Sequence, residues 1–342
     1  MKIKDFDYCL PSQLIAQQPL SQRDSSRLLI VHRDSGSITE TVFRDIVRFF
    51  NKGDVLVLNN TKVFPARLFV QRKTGAKIEI LLLREISRGK WQALIRPARR
   101  IRLYEELFFK NNSFKVKVLE RSSEGKWLVE FFPSEIKDLI SKQGLIPIPP
   151  YIKKELKEPQ RYQTVFAKKE GAVASPTAGL HFTPQLLSEL SSLGIKIVYI
   201  CLHIGLGTFR PVKAEEVEAH KMDEEYIEVS PEAVQIINSA KKEKKRIFAC
   251  GTSTVRALES IAFLKEELAQ IKPFSGFTDL FIYPGFKFKI IDSLITNFHL
   301  PKSTNLLLVS AFTGKEFLFQ AYDYAIKNKF RFYSFGDAML IL

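Results

Sequence analysis

Along the chain the apolar residues change their period twice. Gly53-Asp54-Val55-Leu56-Val57-Leu58 is a continuous apolar run, the pattern of a strand buried on both faces. From about Ala66 to Ile152 short alternating runs take over. Lys77-Ile78-Glu79-Ile80 is one; Phe114-Lys115-Val116-Lys117-Val118 is another, leading through a Ser123-Glu124-Gly125 turn to Trp127-Leu128-Val129-Glu130-Phe131. Such alternation predicts half-buried strands, and a cluster of short ones predicts a small β-barrel. An α/β pattern then returns. Thr183-Pro184 caps a predicted helix that stops at Gly194, and a strand spans Ile195 to Leu202. The basic helix end Lys241 to Arg246 feeds the strand Ile247-Phe248-Ala249-Cys250, after which a Gly251-Thr252 turn opens a predicted helix from Val255 to Leu264. Asp292 to Thr304 reads as too polar for a core strand. The expected fold class is α/β: a discontinuous mixed-sheet α/β domain of residues 1–65 and 153–342, with an inserted small β-barrel domain of residues 66–152.

Composition changes this picture by adding a partner. With 342 residues, 45% hydrophobic and 28 of them Phe, the chain can fill one large core or two moderate ones. Lys and Arg number 52 against 37 Asp and Glu, and the surplus of +15 points to a polyanion, with nucleic acid favoured over an acidic membrane surface. Residues 66–152 hold 18 Lys or Arg and 9 Asp or Glu, so +9 of the +15 sits in the predicted barrel. Arg96, Arg99, Arg100 and Arg102 share one short segment that can point several guanidinium groups one way. They are candidate phosphate contacts; the plainer alternative is a solvated barrel rim. No apolar run approaches a membrane span and Met1-Lys2-Ile3-Lys4-Asp5-Phe6-Asp7 lacks the apolar core of a secretory signal, so a cytoplasmic protein without membrane attachment is expected. Cys9, Cys201 and Cys250 are far apart and lack Cys-x-x-Cys spacing, which predicts reduced, mostly buried thiols.

Candidate chemistry gathers where apolar strands give way to small and polar residues. Cys201 to Val212 ends a strand with His203, Gly205, Gly207, Thr208 and Arg210. Glycines let backbone amides approach a ligand, imidazole moves protons, and guanidinium offers a rigid fork of donors. Leu58 to Arg67 places Asn59, Asn60 and Thr61 beside Lys62 and Arg67, where an Asx-capped turn is the competing reading. Ser175 to Thr183 carries Thr177, Gly179 and His181 into the capped helix, and there His181 reads equally as a packing histidine. Gly251 to Glu259 repeats the strand-turn-helix form with Thr252, Arg256 and Glu259, but matches neither the dinucleotide glycine pattern nor a phosphate loop. Asp292 to Thr304 contributes Asn297 and His299. Zinc is the competing explanation for His181, His203, His220 and His299, but no metal-ligand spacing accompanies them, so no metal is expected.

Taken in order, these segments resemble the S-adenosylmethionine:tRNA ribosyltransferase-isomerase family of queuosine biosynthesis. The likeness runs from Asp5-Phe6-Asp7-Tyr8 and Leu14-Ile15-Ala16-Gln17 through Arg23-Asp24-Ser25-Ser26-Arg27-Leu28, Asn59-Asn60-Thr61-Lys62-Val63 and Pro176-Thr177-Ala178-Gly179-Leu180-His181-Phe182. It continues over His203 to Val212, Gly251 to Glu259, Thr296 to Ser303 and Phe330 to Met339. One departure is Asp223, in His220-Lys221-Met222-Asp223-Glu224-Glu225, where the family often has a second histidine.

The resemblance implies an α/β domain with an inserted barrel. It also implies a reaction: the ribosyl part of S-adenosylmethionine is transferred to 7-aminomethyl-7-deazaguanine at the tRNA wobble position and isomerised. Epoxyqueuosine is formed, and adenine and methionine are released. S-adenosylmethionine is then a consumed substrate and no cofactor is expected; the partner is tRNA carrying that base, and a monomer is the expected state. The sulfonium acidifies the ribose 5′ protons, so a positioned base can form an ylide that opens the ring and expels adenine before the tRNA amine attacks. On this reading His203 or His181 serves as base or acid, Arg210 and the glycine-loop amides stabilise developing negative charge, and His299 and Asn297 come next. Arg256 and Glu259 bind the methionine end or adenine, while Asn59, Asn60 and Arg67 hold sugar or base groups; Thr61, Thr177, Gly179, Gly205, Gly207, Thr208 and Thr252 complete the substrate-binding set. Arg96, Arg99, Arg100 and Arg102 bind tRNA. A non-catalytic RNA-binding module would explain the charge but leaves the histidine and glycine loops without purpose. A methyltransferase, suggested by the Gly251 turn, would release S-adenosylhomocysteine.

Overall fold

A computed structural model describes the chain except for residues 111–113, 123–124, 206, 208–210, 266–267 and the side chain of Lys265. The strands are β1 (Arg27–His32), β2 (Ser37–Val42), β3 (Val55–Asn59), β4 (Thr61–Val63), β5 (Arg67–Gln71), β6 (Lys77–Ser87), β7 (Lys90–Arg96), β8 (Glu106–Phe108), β9 (Lys115–Arg121) and β10 (Trp127–Phe132). They continue as β11 (Lys169–Ala172), β12 (Lys196–Leu202), β13 (Glu225–Val229), β14 (Ile247–Cys250), β15 (Ala262–Lys265), β16 (Leu268–Ile271), β17 (Phe274–Thr278), β18 (Ser293–Asn297) and β19 (Ala338–Ile341). The α-helices are α1 (Lys137–Gln143), α2 (Pro184–Ser192), α3 (Pro231–Lys242), α4 (Thr252–Ser260), α5 (Thr304–Thr313) and α6 (Lys315–Lys327).

Two compact units form. The larger comprises Met1–Lys62, Pro149–Lys169 and Ser175–Leu342; the smaller comprises Val63–Ile148 and Glu170–Ala174. The smaller unit holds a closed barrel in the order β10-β7-β6-β5-β8-β9, antiparallel throughout. Its alternation is the expected one: Val116, Val118, Val129 and Phe131 are buried while their neighbours face outward. The Ser123-Glu124-Gly125 turn lies outside the described residues except for Gly125, whose φ of +79° suits a turn glycine.

The larger unit is built on a nine-stranded mixed sheet, ordered β17-β13-β12-β3-β14-β18-β19-β1-β2. Side chains two apart share a face, so Leu28 and Ile30, Leu56 and Leu58, Phe248 and Cys250 meet Phe182, Leu186 and Leu190 in one core. Helix α2 starts as expected: the Thr183 hydroxyl accepts the Leu186 amide at 3.1 Å and Pro184 takes the first helical position.

Four central strands, β12, β3, β14 and β18, are mutually parallel, so their carboxyl ends lie along one edge of the sheet. Leu202, Asn59, Cys250 and Asn297 end these strands. Strand β13 runs antiparallel to β12 and β19 antiparallel to β18, which brings the start of β13, Glu225, and the segment before β19 to the same edge. In open α/β sheets ligands bind outside this edge.

Two expectations about elements are corrected. The helix expected from Val255 to Leu264 spans Thr252–Ser260, because Ala262–Lys265 leaves it to pair with β16. An Asn238 side chain on α3 clamps that hairpin, donating to the Ile271 carbonyl at 2.9 Å and accepting its amide at 3.0 Å, a distant contact that overrides local helix preference. The segment judged too polar for a core strand contains β18, buried at all five positions. Leu294 and Ile295 supply its apolar surface, and the Thr296 hydroxyl is satisfied by His299 Nε2 at 2.6 Å, which removes the desolvation cost that the polar reading relied on.

Candidate active site

Outside the carboxyl edge lies an open cavity whose empty space, solvent at its mouth included, is about 660 Å³. Its walls follow from the topology. Ile204 comes after β12, Gly251, Thr252 and Ser253 after β14, and Thr296 to Leu300 from the end of β18; Glu225 opens β13, and Tyr333 and Ser334 precede β19. Thr177, Arg256 and Asn305 also line it.

Three of the lining side chains carry buried polar atoms that have no hydrogen-bond partner among the described residues: Ser175 Oγ, Arg256 Nη2 and Asn297 Oδ1. Each such atom costs about 1–3 kcal/mol, and since eleven others occur elsewhere among the described residues, it is the convergence of three on one cavity that marks this place. The orientation of Asn297 follows from its surroundings: its Nδ2 faces His181 Nε2 at 3.2 Å and the Tyr333 carbonyl at 3.3 Å, so the amide oxygen must be the atom left over. His181 Nε2 therefore accepts, and its Nδ1 donates to Ser26 Oγ at 2.7 Å.

Arg256 is 5% exposed and forms an ion pair through Nη1 with Glu225, itself 5% exposed; its Nε donates to the Leu280 carbonyl at 2.9 Å. Glu225 Oε1 also accepts the Gly205 amide at 2.7 Å, so the glycine loop is tied to this pair. Thr252 Oγ1 donates to Asn305 Oδ1 at 3.1 Å.

The three histidines separate by environment. His181 is buried against Phe43, with ring centroids 4.9 Å apart, both nitrogens are occupied, and it does not line the cavity. Burial, together with the nearby Arg331 and Arg23 charges, pushes its pKa down to about 3. His299 lines the cavity, and burial among the surrounding side chains pushes its pKa down to about 3 as well. His203 is partly exposed and, although not itself among the lining residues, directly precedes the lining Ile204; it stacks on Tyr226 and lies 2.8 Å from Thr61 Oγ1 through Nδ1. Burial lowers its pKa, with Glu228 acting in the opposite sense.

Several expected ligands are engaged within the fold or lie away from the cavity. Asn59 donates to the Leu202 carbonyl at 2.9 Å and to Ser253 Oγ at 3.1 Å, and accepts the Leu202 and Thr61 amides, which uses all its capacity in joining β3 to β12 and α4. Asn60 bonds through its backbone to Ile200 and to Lys168, while its buried side-chain Oδ1 has no hydrogen-bond partner among the described residues and it does not line the cavity. Glu259 accepts the amides of Lys289, Ile290 and Ile291 at 2.9–3.1 Å, so it anchors that loop and does not line the cavity. Gly179 is a packing glycine, since a Cβ there would come within 2.8 Å of Phe166. A Cβ on Gly207 would meet Asp223 Oδ2 at 3.1 Å. Thr208 and Arg210 lie outside the described residues. Arg67, Arg96, Arg99, Arg100 and Arg102 belong to the smaller unit. There Arg67 pairs with Glu79 at 3.3 Å, and the other four are exposed around the end of β7. Glu225, Ser175, Asn305, Tyr151 and Tyr333 are cavity residues that the sequence reading missed.

Among the described residues no three His, Cys, Asp or Glu side chains cluster as a metal site, and no helix is long and apolar enough to cross a membrane. Cys201 and Cys250 are buried, and Cys9 is exposed.

The family model described as queuosine biosynthesis protein matches residues 3–341. A protein of Halothermothrix orenii named S-adenosylmethionine:tRNA ribosyltransferase-isomerase is 52% identical over all of both chains, and one of that name from Carboxydothermus hydrogenoformans is 49% identical over all of both. A crystal structure of S-adenosylmethionine tRNA ribosyltransferase from Thermotoga maritima is similar with a TM-score of 0.56 at 38% identity, covering 99% of this chain and 100% of that one. With its whole length matched, this chain belongs to the queuosine biosynthesis protein family.

Proposed function

We propose that this chain is an S-adenosylmethionine:tRNA ribosyltransferase-isomerase whose chemistry takes place in the cavity at the carboxyl edge of the large sheet. It transfers and isomerises the ribosyl part of S-adenosylmethionine onto 7-aminomethyl-7-deazaguanine at the tRNA wobble position, giving epoxyqueuosine, adenine and methionine. The observation that carries the placement is the set of unpaired buried polar atoms on Ser175, Arg256 and Asn297 around one cavity. S-adenosylmethionine is consumed as a substrate, and the enzyme works as a cytoplasmic monomer on tRNA.

The environments above support the roles given to the histidines and Asn297; the others are those the family resemblance implies. His203 is the proton acceptor for the ribose 5′ carbon, because burial lowers its pKa against an opposing Glu228 charge, whereas desolvation makes His181 and His299 such weak bases. His299 stays neutral and hydrogen-bonds sugar or base groups. His181 fixes Asn297 so that its amide oxygen is free for a donor such as an exocyclic amine. Arg210 and the Gly205–Gly207 amides stabilise developing negative charge. Arg96, Arg99, Arg100 and Arg102 hold tRNA phosphates.

The test is incubation with S-adenosylmethionine and tRNA bearing the aminomethyl-deazaguanine, followed by nucleoside mass analysis. Epoxyqueuosine with free adenine and methionine is expected. S-adenosylhomocysteine would mean methyl transfer instead, and no product despite tRNA binding would leave only an RNA-binding module.

A further inference from the structure

In the cavity wall, a buried arginine and a buried glutamate form a pair that is not saturated. Arg256 spends Nη1 on Glu225 and Nε on the Leu280 carbonyl, and Nη2 has no partner among the described residues. Among the described residues Glu225 takes one bond at each oxygen, from the Gly205 amide and from Arg256, and a carboxylate can accept about four. One spare cationic donor and one acidic group with spare lone pairs therefore sit side by side, both closed off from bulk water. A lone anion would meet Glu225, and a lone cation would meet Arg256. The chemical group that satisfies both is a zwitterion carrying carboxylate and ammonium on one carbon.

We infer that Arg256 and Glu225 are the specificity determinants for the α-amino-acid end of the sulfonium substrate, Arg256 Nη2 taking its carboxylate and Glu225 its ammonium. This rests on the cavity being the S-adenosylmethionine site. It replaces Glu259 with Glu225 in the amino-acid role, because three backbone amides already hold Glu259. The Glu225 carboxylate also accepts the Gly205 amide, which ties the pair to the residue two positions after His203.

The experiment compares kcat/KM for adenine release from S-adenosylmethionine and from its decarboxylated analogue, with saturating aminomethyl-deazaguanine tRNA. Wild-type enzyme should prefer the carboxylate-bearing substrate by about 10- to 100-fold, the worth of a hydrogen bond to a charged group. Arg256→Lys, which keeps the charge but not the fork, should lose most of that preference by slowing S-adenosylmethionine far more than the decarboxylated analogue. If the lysine variant does not fold, product inhibition of wild-type enzyme decides: L-methionine should inhibit at least tenfold more strongly than 3-(methylthio)propylamine or methionine amide. Equal use of both substrates by wild type, or a preference that survives in Arg256→Lys, overturns the inference. A wild type that releases no adenine from either substrate overturns the functional reading on which it rests.

Discussion

Arg256 is 5% exposed and faces a buried carboxylate, whereas Arg96, Arg99, Arg100 and Arg102 of the barrel unit all stand in solvent. The same side chain does different work in the two places. In the cavity, a buried charge is held by geometry, is weakly screened by salt, and is costly to leave unpaired. On the barrel, exposed charges contribute little to stability and are screened within about 10 Å at moderate salt; under the proposed tRNA contact they would act by displacing counterions from a polyanion. Cavity variants should therefore change folding and turnover with little salt dependence, and barrel variants should change salt-dependent affinity with little effect on folding.

The largest effect is expected from His203→Ala, which should lower kcat by about 100- to 10,000-fold while folding and tRNA affinity are retained. Single-turnover kinetics with a separate tRNA-binding assay check this, and unchanged turnover removes His203 from the mechanism. The pH profile sharpens it. Because burial lowers the His203 pKa, the imidazole remains neutral down through its ordinary value of 6.5, so the acid limb of kcat/KM should lie below that value. Next, Arg256→Met leaves Glu225 buried and unpaired and should cost about 3–5 kcal/mol in chemical denaturation, part of which Glu225→Gln in the same chain restores.

A smaller effect comes from His181. Its pKa is lowered from 6.5 to about 3 on folding, so at pH 5 the unfolded chain binds a proton that the folded chain refuses. Stability must then fall as pH drops below 6.5, by about 2 kcal/mol for this group between pH 7 and 5. Denaturation curves at both pH values should show that slope reduced in His181→Gln. On the barrel side, Arg99→Glu with Arg100→Glu should weaken tRNA binding about tenfold and flatten the salt slope by roughly two, with stability changed by no more than about 0.5 kcal/mol. Unchanged binding would put the tRNA contacts elsewhere.

Much of this was legible in the sequence because both periods were clean. Val55 to Leu58 and Ile247 to Cys250 are short apolar runs that only a doubly covered sheet accommodates, and Val116, Val118, Val129 and Phe131 mark the inward face of the barrel. The loops that end β12, β14 and β18 could also be named, since a strand followed by glycine, hydroxyl and imidazole reads as a site edge. What stayed hidden was how polar groups partner one another. Glu225 sits in the acidic run Asp223-Glu224-Glu225, which looks like solvated surface until β13 turns every second residue inward. Glu259 looked like a ligand because no local pattern announces three amides arriving from residues 289–291. Asn59, similarly, is consumed by distant backbone groups of β12. Ser293 to Asn297 misled because the Thr296 hydroxyl is satisfied by His299 and the Asn297 Nδ2 by His181.

That the carboxyl edge of the large sheet holds the reacting nucleoside is tested most directly by soaking crystals with the released products, adenine and L-methionine. Density for both should appear in the cavity bounded by Arg256, Ser175 and Asn297, with the amino acid on Arg256 and Glu225. Density for either product only outside that cavity, with Arg256 Nη2 and Asn297 Oδ1 still unpaired, would contradict the account.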